Sequence, residues 1–184
     1  MKILPTSLPG CHLLVPDVRR DERGCFAKVF HRDTFIAAGL CADFAEDFYS
    51  VSHQGVLRGL HFQTPPHEQA KLVYCLDGAV FDVGVDLRRG SPTYGRHLSL
   101  ELSAENGHVL YLAPGVAHGF YTLTGSALMV YKVSRVYAPA NDTGILWNSA
   151  GIAWPGGDPV LSVRDREFAA LADFDSPFVY EGAA

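Results

Sequence analysis

The feature that most constrains the fold of this 184-residue chain is a regular alternation of short β-rich runs with turn-forming residue pairs. Asp77-Gly78 separates an apolar run at residues 71–76 from another at residues 79–87, and Asn106-Gly107 and Pro114-Gly115 divide the segments that follow. Aspartate followed by glycine between two such runs is typical of a hairpin, because both residues tolerate positive φ. We therefore predict that these two runs pair as a hairpin.

Further β-rich runs continue the pattern. The additional predicted strands cover residues 97–102, 109–113, 119–123 and 127–136. Short strands at this spacing are typical of an antiparallel sandwich or jelly roll and not of a βαβ fold. The sequence therefore predicts an all-β jelly roll with a few short helices, in a single domain that covers residues 1–184.

Helix signals occur in two segments. Residues 32–39 form a short stretch that ends at a glycine, and Asp33 is its predicted N-cap. A weaker candidate at residues 163–171 follows Ser162. We expect an N-terminal strand or arm before the β-rich body, and a tail after Trp154 that wraps the body as loops.

Charge and cysteine spacing exclude several classes of protein. The net charge is −5 and the basic residues are scattered, so we expect no nucleic-acid partner. No segment approaches the roughly 18 apolar residues of a membrane span, and the first residues lack a signal-peptide pattern. The cysteines lack metal-site spacing, which favours reduced thiols in a cytoplasmic protein. These cysteines are Cys11, Cys25, Cys41 and Cys75.

The segment Gly55-Val-Leu-Arg-Gly-Leu-His-Phe-Gln63 carries the strongest chemical signal. It contains His61, which lies ten residues before Lys71. A histidine titrates near neutral pH, and a lysine supplies positive charge where an oxyanion develops. The pair therefore indicates proton abstraction next to a carbonyl group. The alternative is that His61 is an ordinary strand histidine and Lys71 a solvated lysine.

A catalytic metal is not expected from the histidine pattern. Jelly rolls that hold a metal usually supply two histidines from one strand and a third from a later strand. His118, in Pro114-Gly-Val-Ala-His118, has the form of the later ligand. His61, however, is followed by Phe62 and Gln63, so the paired histidines are missing. His118 is then a core histidine or a substrate contact.

Four further residues have both a structural and a functional interpretation. A carboxylate such as Asp165 could orient His61, although it is distant in sequence. The phenol of Tyr131, on an apolar strand, needs a hydrogen-bond partner if it faces the interior. Arg58 is flanked by apolar residues, so we expect a partly buried guanidinium that needs an anionic partner. Arg23 could be a binding residue or part of a surface turn.

The order of the motifs resembles the dTDP-4-dehydrorhamnose 3,5-epimerase family of deoxysugar biosynthesis. The matching stretches are GVLRGLHFQ, KLVYCLDGAVFDVGVDLRRGSPTYG, LAPGVAHGF, YK, GILWN, IAWP and LSVRD. The whole match extends from about Arg23 to Asp165. The resemblance implies a cupin-type jelly roll that forms a homodimer and uses no metal or other cofactor. It also implies an epimerase whose substrate is a nucleotide-diphosphate-linked 4-keto-6-deoxy sugar.

The resemblance also implies roles for individual residues. His61 would be the general base, Asp165 its orienting carboxylate, Tyr131 the acid on the opposite face of the sugar, and Lys71 the group that stabilises the enolate. Arg23 and Phe26 would reach the nucleotide across the dimer interface, and Tyr137 would lie against the base. The complete set of implied substrate contacts is Arg23, Phe26, Lys28, Glu46, Arg58, Gln63, His118 and Tyr137.

Two departures from the family pattern bear on the nucleotide. Residues 46–48 read Glu-Asp-Phe where the family usually has Gln-Asp-Asn, and Lys28 stands where the family has glutamate. An ammonium in place of a carboxylate inverts the hydrogen bonding offered to a base. This favours a GDP- or CDP-sugar as an alternative to a dTDP-sugar. Three further functions stay open: inversion at C3 alone, a metal-dependent cupin enzyme, and a non-catalytic sugar-binding module.

Overall fold

Two antiparallel sheets dominate the computed structural model, which describes residues 1–182. The strands are β1 (Lys2–Pro5), β2 (His12–Val15), β3 (Val18–Asp21), β4 (Gly24–Ala27), β5 (Glu46–His53), β6 (Leu57–Gln63), β7 (Lys71–Asp77), β8 (Ala79–Asp86), β9 (His97–Ser103), β10 (Val109–Leu112), β11 (Val116–Thr122), β12 (Ser126–Val133) and β13 (Asp142–Gly144). The helices are α1 (Arg32–Ala37), α2 (Val163–Glu167) and a 3₁₀ helix (Leu171–Asp173). This confirms the predicted all-β class with a few short helices.

The sheets form a jelly-roll sandwich. The six-stranded sheet has the order β1-β2-β10-β7-β12-β5, and the five-stranded sheet has the order β13-β6-β11-β8-β9. A buried cluster between them joins side chains from both sheets, including Val73 and Met129 from one and Val80 and Phe120 from the other. From β5 to β13, each connection except that from β8 to β9 crosses between the sheets. This repeated crossing confirms the predicted jelly roll.

The predicted hairpin at Asp77-Gly78 is wrong. The strands on either side of this turn belong to different sheets: β7 pairs with β10 and β12, whereas β8 pairs with β9 and β11. Gly78 has a φ of +72°, and a Cβ there would collide with the carbonyl oxygen of Ser126. The two residues therefore form the predicted turn, but the turn is a corner between sheets. Both strands are largely buried, and each is paired on both sides with strands other than its neighbour across the turn.

Several predicted boundaries also differ from the structure. The N-cap of α1 is His31, whose side chain makes no capping hydrogen bond, so the assignment of Asp33 was wrong. The second helix ends at Glu167 instead of residue 171, because the backbone is already extended at Phe168. At its other end, Ser162 Oγ accepts a hydrogen bond from the Asp165 N–H, as an N-cap side chain does. Strand β12 ends at Val133, three residues earlier than predicted.

The ends of the chain pack on the sandwich in different ways. β1 and β2 extend the six-stranded sheet, whereas β3 and β4 form a separate two-stranded hairpin in which every residue of β4 is exposed. The tail covers the outer face of the five-stranded sheet, where Phe178 joins a buried cluster. No helix in the described residues is long and apolar enough to span a membrane. All four cysteines are free thiols, and burial raises the pKa of Cys11 and Cys75 to about 11.

Candidate active site

A cavity of about 820 Å³ lies between the two sheets. The six-stranded sheet contributes β5, β7 and β12 to its walls, and the five-stranded sheet contributes β6, β11 and β13. Eight of the twelve side chains predicted from the sequence line it: Glu46, Arg58, His61, Gln63, Lys71, His118, Tyr131 and Tyr137. The fold therefore brings together most of the residues that the motifs indicated.

His61 is held by Asp165, which contacts it from α2. The distance from His61 Nε2 to Asp165 Oδ1 is 2.8 Å, and the Gly59 N–H donates to Asp165 Oδ2 at 3.2 Å. Burial raises the pKa of Asp165, but the hydrogen bond and charge of His61, together with hydrogen bonds to Gly59 and Ser162, bring the pKa below its usual range. A carboxylate only accepts hydrogen bonds, so it holds the imidazole proton on Nε2 and leaves Nδ1 as the basic nitrogen.

The backbone at Gly59 explains why a glycine precedes this histidine. Gly59 has a φ of +142°, and a Cβ there would lie 2.6 Å from the Cα of Gly119 on the neighbouring strand β11. Real Cβ atoms do not approach another backbone so closely, so a larger residue would push β6 away from β11. The glycine thus sets the position of a strand that carries both Arg58 and His61.

Tyr131 lies on the opposite sheet, in a tightly packed environment. Its ring stacks on Phe48, with 4.8 Å between centroids and an interplanar angle of 13°. Its Oη lies 3.1 Å from Ser50 Oγ. Burial raises the pKa of the Tyr131 phenol well above its usual range, so the hydroxyl keeps its proton at neutral pH. Tyr131 is therefore a protonated group that faces the cavity from the wall across from His61.

Lys71 is a buried ammonium in the same cavity. Its Nζ donates a hydrogen bond of 3.0 Å to the backbone oxygen of His61. Burial lowers its pKa to about 8, although the negative charges of Asp142 and Asp82 act in the opposite direction. At neutral pH the side chain is therefore mainly charged, and few water molecules can screen it. A positive charge in this environment interacts strongly with a negative oxygen nearby.

The lowered pKa of Lys71 predicts a pH dependence of turnover. As pH rises through about 8, Lys71 loses its proton and can no longer stabilise negative charge, so kcat should fall. The measurement is kcat between about pH 6.5 and 9.5. Lys71→Arg is the matched variant, because a guanidinium stays charged throughout this range and should remove the alkaline decline from whatever activity remains. A wild-type profile that stays flat above about pH 8 would contradict this role.

His118 is paired with a buried carboxylate. Its Nε2 lies 2.9 Å and 3.0 Å from the two carboxylate oxygens of Asp82, and both residues are almost inaccessible to solvent. Burial raises the pKa of Asp82, while the charges of His118 and Lys71 act to lower it. Within residues 1–182, no group of three or more His, Cys, Asp or Glu side chains is arranged to hold a metal ion. The geometry makes His118 a residue held by Asp82 at the cavity wall.

Two arginines border the cavity near His61. Arg58 is exposed, so the expectation of a partly buried guanidinium was wrong. The Nε of Arg58 donates a hydrogen bond of 2.9 Å to Ser52 Oγ. Among residues 1–182, Arg58 forms no ion pair with a carboxylate. Arg164 pairs with Asp142 at 2.7 Å. Its guanidinium also lies over the Phe168 ring, 5.2 Å from the centroid. Of these two arginines, Arg164 is therefore paired with a carboxylate and, within the described residues, Arg58 is not.

Three predicted contact residues lie away from this cavity in the single chain. Arg23, Phe26 and Lys28 belong to the β3–β4 hairpin or follow it directly, and all three are exposed. Arg23 forms an ion pair of 2.6 Å with Asp21, and the exposed fraction of Phe26 is 63%. None of the three lines the cavity of its own chain.

Gln63 and Tyr137 both line the cavity but in different ways. Tyr137 is 58% exposed and lies at the cavity edge. Gln63 is 2% exposed, and its amide bonds to the backbone of His67, Val136 and Ala138. The sequence suggested a substrate contact at Gln63, whereas the structure occupies its polar atoms with the protein itself.

Several cavity residues were missed in the sequence. They are Asp47, Phe48, Ser50, Gln69, Phe120, Val133, Asp142 and Arg164, with Asp82 behind His118. The alternation along β5 could have identified two of them, because successive side chains on a strand point to opposite faces and Phe48 and Ser50 share the face of Glu46. No comparable local signal marks Asp82, Asp142 or Arg164, whose partners are distant in sequence.

Comparisons with known proteins agree with this geometry. A family model described as dTDP-4-dehydrorhamnose 3,5-epimerase matches residues 5–173. The dTDP-4-dehydrorhamnose 3,5-epimerase of Shigella flexneri is 42% identical over 178 residues, which cover 95% of this chain and 98% of that protein. A dTDP-4-dehydrorhamnose 3-epimerase of Streptomyces niveus is 41% identical, over 94% of this chain and 85% of that one. A Legionella pneumophila epimerase, solved in complex with dTDP-4-keto-L-rhamnose, has a TM-score of 0.94 at 36% identity, over 98% of this chain and 99% of that one.

Proposed function

Because this chain belongs to the dTDP-4-dehydrorhamnose 3,5-epimerase family, we propose that it inverts C3 and C5 of a dTDP-linked 4-keto-6-deoxy sugar. The protein is a carbohydrate epimerase, and so an isomerase. The observation that carries the specific proposal is the position of His61 and Tyr131 on opposite sheets of one cavity, with the ammonium of Lys71 in the same space.

The first step is removal of a proton by His61. The C4 ketone acidifies the hydrogens on its neighbours C3 and C5, because the electron pair left behind delocalises onto the ketone oxygen. His61 Nδ1 takes the proton, and the imidazolium that forms is stabilised by the Asp165 carboxylate on Nε2. The pair therefore provides a base whose protonated form is stabilised by a neighbouring carboxylate.

The enolate that forms needs a positive partner. Lys71 supplies this charge from a buried position, where the attraction between an ammonium and an enolate oxygen is several times stronger than in water. In the enolate, the carbon that lost its proton is planar, so a new proton can arrive from either face.

Inversion requires that the new proton come from the face opposite the base. Tyr131 lies on the opposite sheet and holds its proton at neutral pH, so it protonates the carbon and becomes a phenolate. The product then carries the opposite configuration at that carbon. His61 returns its proton to water and Tyr131 recovers one, which restores both groups without any change in oxidation state.

The charge around the cavity suits the rest of the substrate. Arg58, which has no carboxylate partner among residues 1–182, and Arg164 lie where an anionic group attached to the sugar could be bound. Guanidinium groups bind the oxygens of a diphosphate through several parallel hydrogen bonds. This supports a nucleotide-diphosphate sugar as the substrate class, with Tyr137 at the cavity edge against the base.

Solvent exchange tests the proposed reaction directly. The enzyme is incubated with dTDP-4-keto-6-deoxyglucose in deuterated water, and NMR locates the deuterium in the product. We expect deuterium at both C3 and C5, because one base and one acid can serve each carbon in turn. Deuterium at C3 alone would support a 3-epimerase, the activity named for the Streptomyces niveus relative. Absence of deuterium from both carbons would refute the proposed function.

Competition binding tests the nucleotide. The relatives support dTDP, whereas Lys28 and Glu46 suggested GDP or CDP. Lys28 is exposed and lies outside the cavity of its own chain, so that alternative would require it to act on a partner subunit. We expect dTDP to displace a bound nucleotide sugar at about a tenfold lower concentration than GDP or CDP. Tighter binding of GDP or CDP would contradict the proposal.

A homodimer is part of the same proposal. β5 is an edge strand of the six-stranded sheet, and Tyr49 and Val51, on the face of β5 that points away from the cavity, are 69% and 54% exposed. A second copy that covered this edge would bury them and would also remove an unprotected strand. It would give the exposed Arg23 and Phe26 a surface to contact. Light scattering at micromolar concentration measures the mass; a monomer would contradict this part.

The state of the cysteines bears on the cellular compartment of the proposed enzyme. All four cysteines are free thiols, and Cys11 and Cys75 are buried within the sandwich. Unpaired thiols are typical of proteins that work in a reducing compartment. This supports the cytoplasm as the place where the enzyme acts.

A further inference from the structure

Gln63 lies in the cavity wall, but its side chain binds the protein. Its Oε1 accepts a hydrogen bond of 2.7 Å from the N–H of Ala138. Its Nε2 donates to the backbone oxygens of His67, at 2.9 Å, and Val136, at 3.3 Å. A primary amide has two N–H donors. Both donors of Gln63 are therefore in use, and neither is available to a ligand.

The peptide groups that Gln63 binds are those on either side of Tyr137. Val136 precedes Tyr137 and Ala138 follows it, so the amide of Gln63 holds the backbone on both sides of this residue. The contact requires a group that donates and accepts at once. Glutamate would place carboxylate oxygens against the carbonyl oxygens of His67 and Val136, and methionine would offer neither a comparable donor nor an acceptor.

Tyr137 belongs to the segment between β12 and β13, residues 134–141, which we call the 134–141 loop. Its two ends are tied to the body: Ser134 Oγ accepts from the Ala70 N–H at 2.9 Å, and the Asn141 side chain donates to Thr64 Oγ1 at 2.9 Å. Within residues 1–182, the middle of the loop, residues 135–140, is hydrogen-bonded to the body through Gln63. Gln63 thus supplies the central attachment of the loop.

We infer that Gln63 is a positioning residue that presents the Tyr137 ring at the cavity edge for stacking on the nucleotide base. The inference rests on the proposed function for the identity of the ligand, but the attachment of the loop does not depend on it. An exposed ring on a free loop loses conformational freedom when a ligand binds, and this loss weakens affinity. The buried amide removes that freedom beforehand. Gln63 therefore improves nucleotide binding without contact with the nucleotide.

Hydrogen exchange tests the attachment without any ligand. In the wild-type protein, the Ala138 N–H should exchange slowly, because it is bonded to a side chain that is 2% exposed. In Gln63→Met, which conserves size, exchange of this amide should be faster by about tenfold or more. Gln69→Met is the matched control, since Gln69 lines the same cavity but has no such bond to the loop, and it should leave Ala138 unchanged. Fast exchange of Ala138 in the wild-type protein would overturn the inference, even if no Gln63 variant folds.

Binding of dTDP, measured by calorimetry, tests the consequence for the ligand. We expect Gln63→Met and Gln63→Glu to weaken dTDP binding by about tenfold, with kcat at saturating substrate changed by less than about twofold. Tyr137→Ala should weaken binding similarly, and the double variant Gln63→Met with Tyr137→Ala should be no weaker than the single variants, because both act through one ring.

The possible outcomes separate this inference from the proposed function. Fully additive losses in the double variant would mean that Gln63 contacts the nucleotide directly, and would overturn the positioning role. A loss of kcat with unchanged dTDP binding would overturn it as well. If the wild-type protein bound no dTDP, the proposed nucleotide would be refuted, while exchange at Ala138 would still decide whether Gln63 holds the loop.

Discussion

Replacing His61 by alanine is expected to lower both turnover and solvent exchange at the sugar by about three to four orders of magnitude. General bases contribute roughly 10²–10⁴-fold, and in the proposed reaction one nitrogen is the base for either carbon of the substrate. Removing the imidazole also leaves Asp165 without its main partner, 2.8 Å away, so no replacement base is held in place. The measurement is deuterium incorporation at C3 and C5 by NMR, together with the rate of product formation.

Two controls separate chemistry from folding in the His61 experiment. Binding of dTDP should be retained within about threefold, because His61 is expected to contact the sugar and not the nucleotide. His31→Ala is the matched variant, since His31 is an exposed histidine at the start of α1 that does not line the cavity, and it should behave as wild type. Exchange that persists at the wild-type rate in His61→Ala would remove His61 from the mechanism.

Replacing Tyr131 by phenylalanine is expected to lower inversion by about a hundredfold or more, while proton removal by His61 continues. The variant keeps the ring that stacks on Phe48 at 4.8 Å, so the packing of β5 against β12 should survive. It loses the hydroxyl that lies 3.1 Å from Ser50 Oγ. In the proposed reaction this hydroxyl carries the proton for the opposite face. Deuterium should then return from His61 to the face it left, and labelled substrate should accumulate in excess over inverted product.

The ratio of label to inversion is the decisive quantity for Tyr131. In the wild-type protein each inversion brings in one solvent hydrogen. In Tyr131→Phe the amount of deuterium incorporated should exceed the amount of inverted product by about tenfold. Tyr94→Phe is a suitable control, because Tyr94 is an exposed phenol outside the cavity. If exchange and inversion fell together, or if both survived equally, Tyr131 would not be the group that protonates the opposite face.

The positions of the strands could be predicted from sequence better than the pairing between them. Apolar runs and turn pairs are local properties, so the runs that became β7, β8, β9 and β10 were identified from neighbouring residues alone. Asp77-Gly78 was also recognised as a turn. A hairpin and a corner between sheets can have the same turn chemistry, and the difference depends on whether β7 and β8 pair with each other or with later strands such as β12 and β11. That information is not local, so the predicted pairing was wrong.

The candidate site divides in a similar way. His61 and Lys71 were found because the motif that contains the histidine is short and unusual. Asp165 lies 104 residues from His61 and was assigned to it through a family resemblance, whereas the structure shows how they meet: Ser162 caps α2 and places the carboxylate at the imidazole. Phe48 had no assigned role, since its stacking on Tyr131 depends on the register of β5 against β12.

Sequence alone determined the all-β class, the positions of most strands, and a histidine and a lysine suited to proton abstraction next to a carbonyl group, because each of these depends on side chains close together in the chain. Only the tertiary structure decided which strands pair, that Asp82 holds His118, that Arg58 is exposed, and that Gln63 holds the loop of Tyr137. These outcomes depend on burial and on contacts between distant segments. Both arise only when the two sheets close over a shared core, so the residues of one segment cannot specify them.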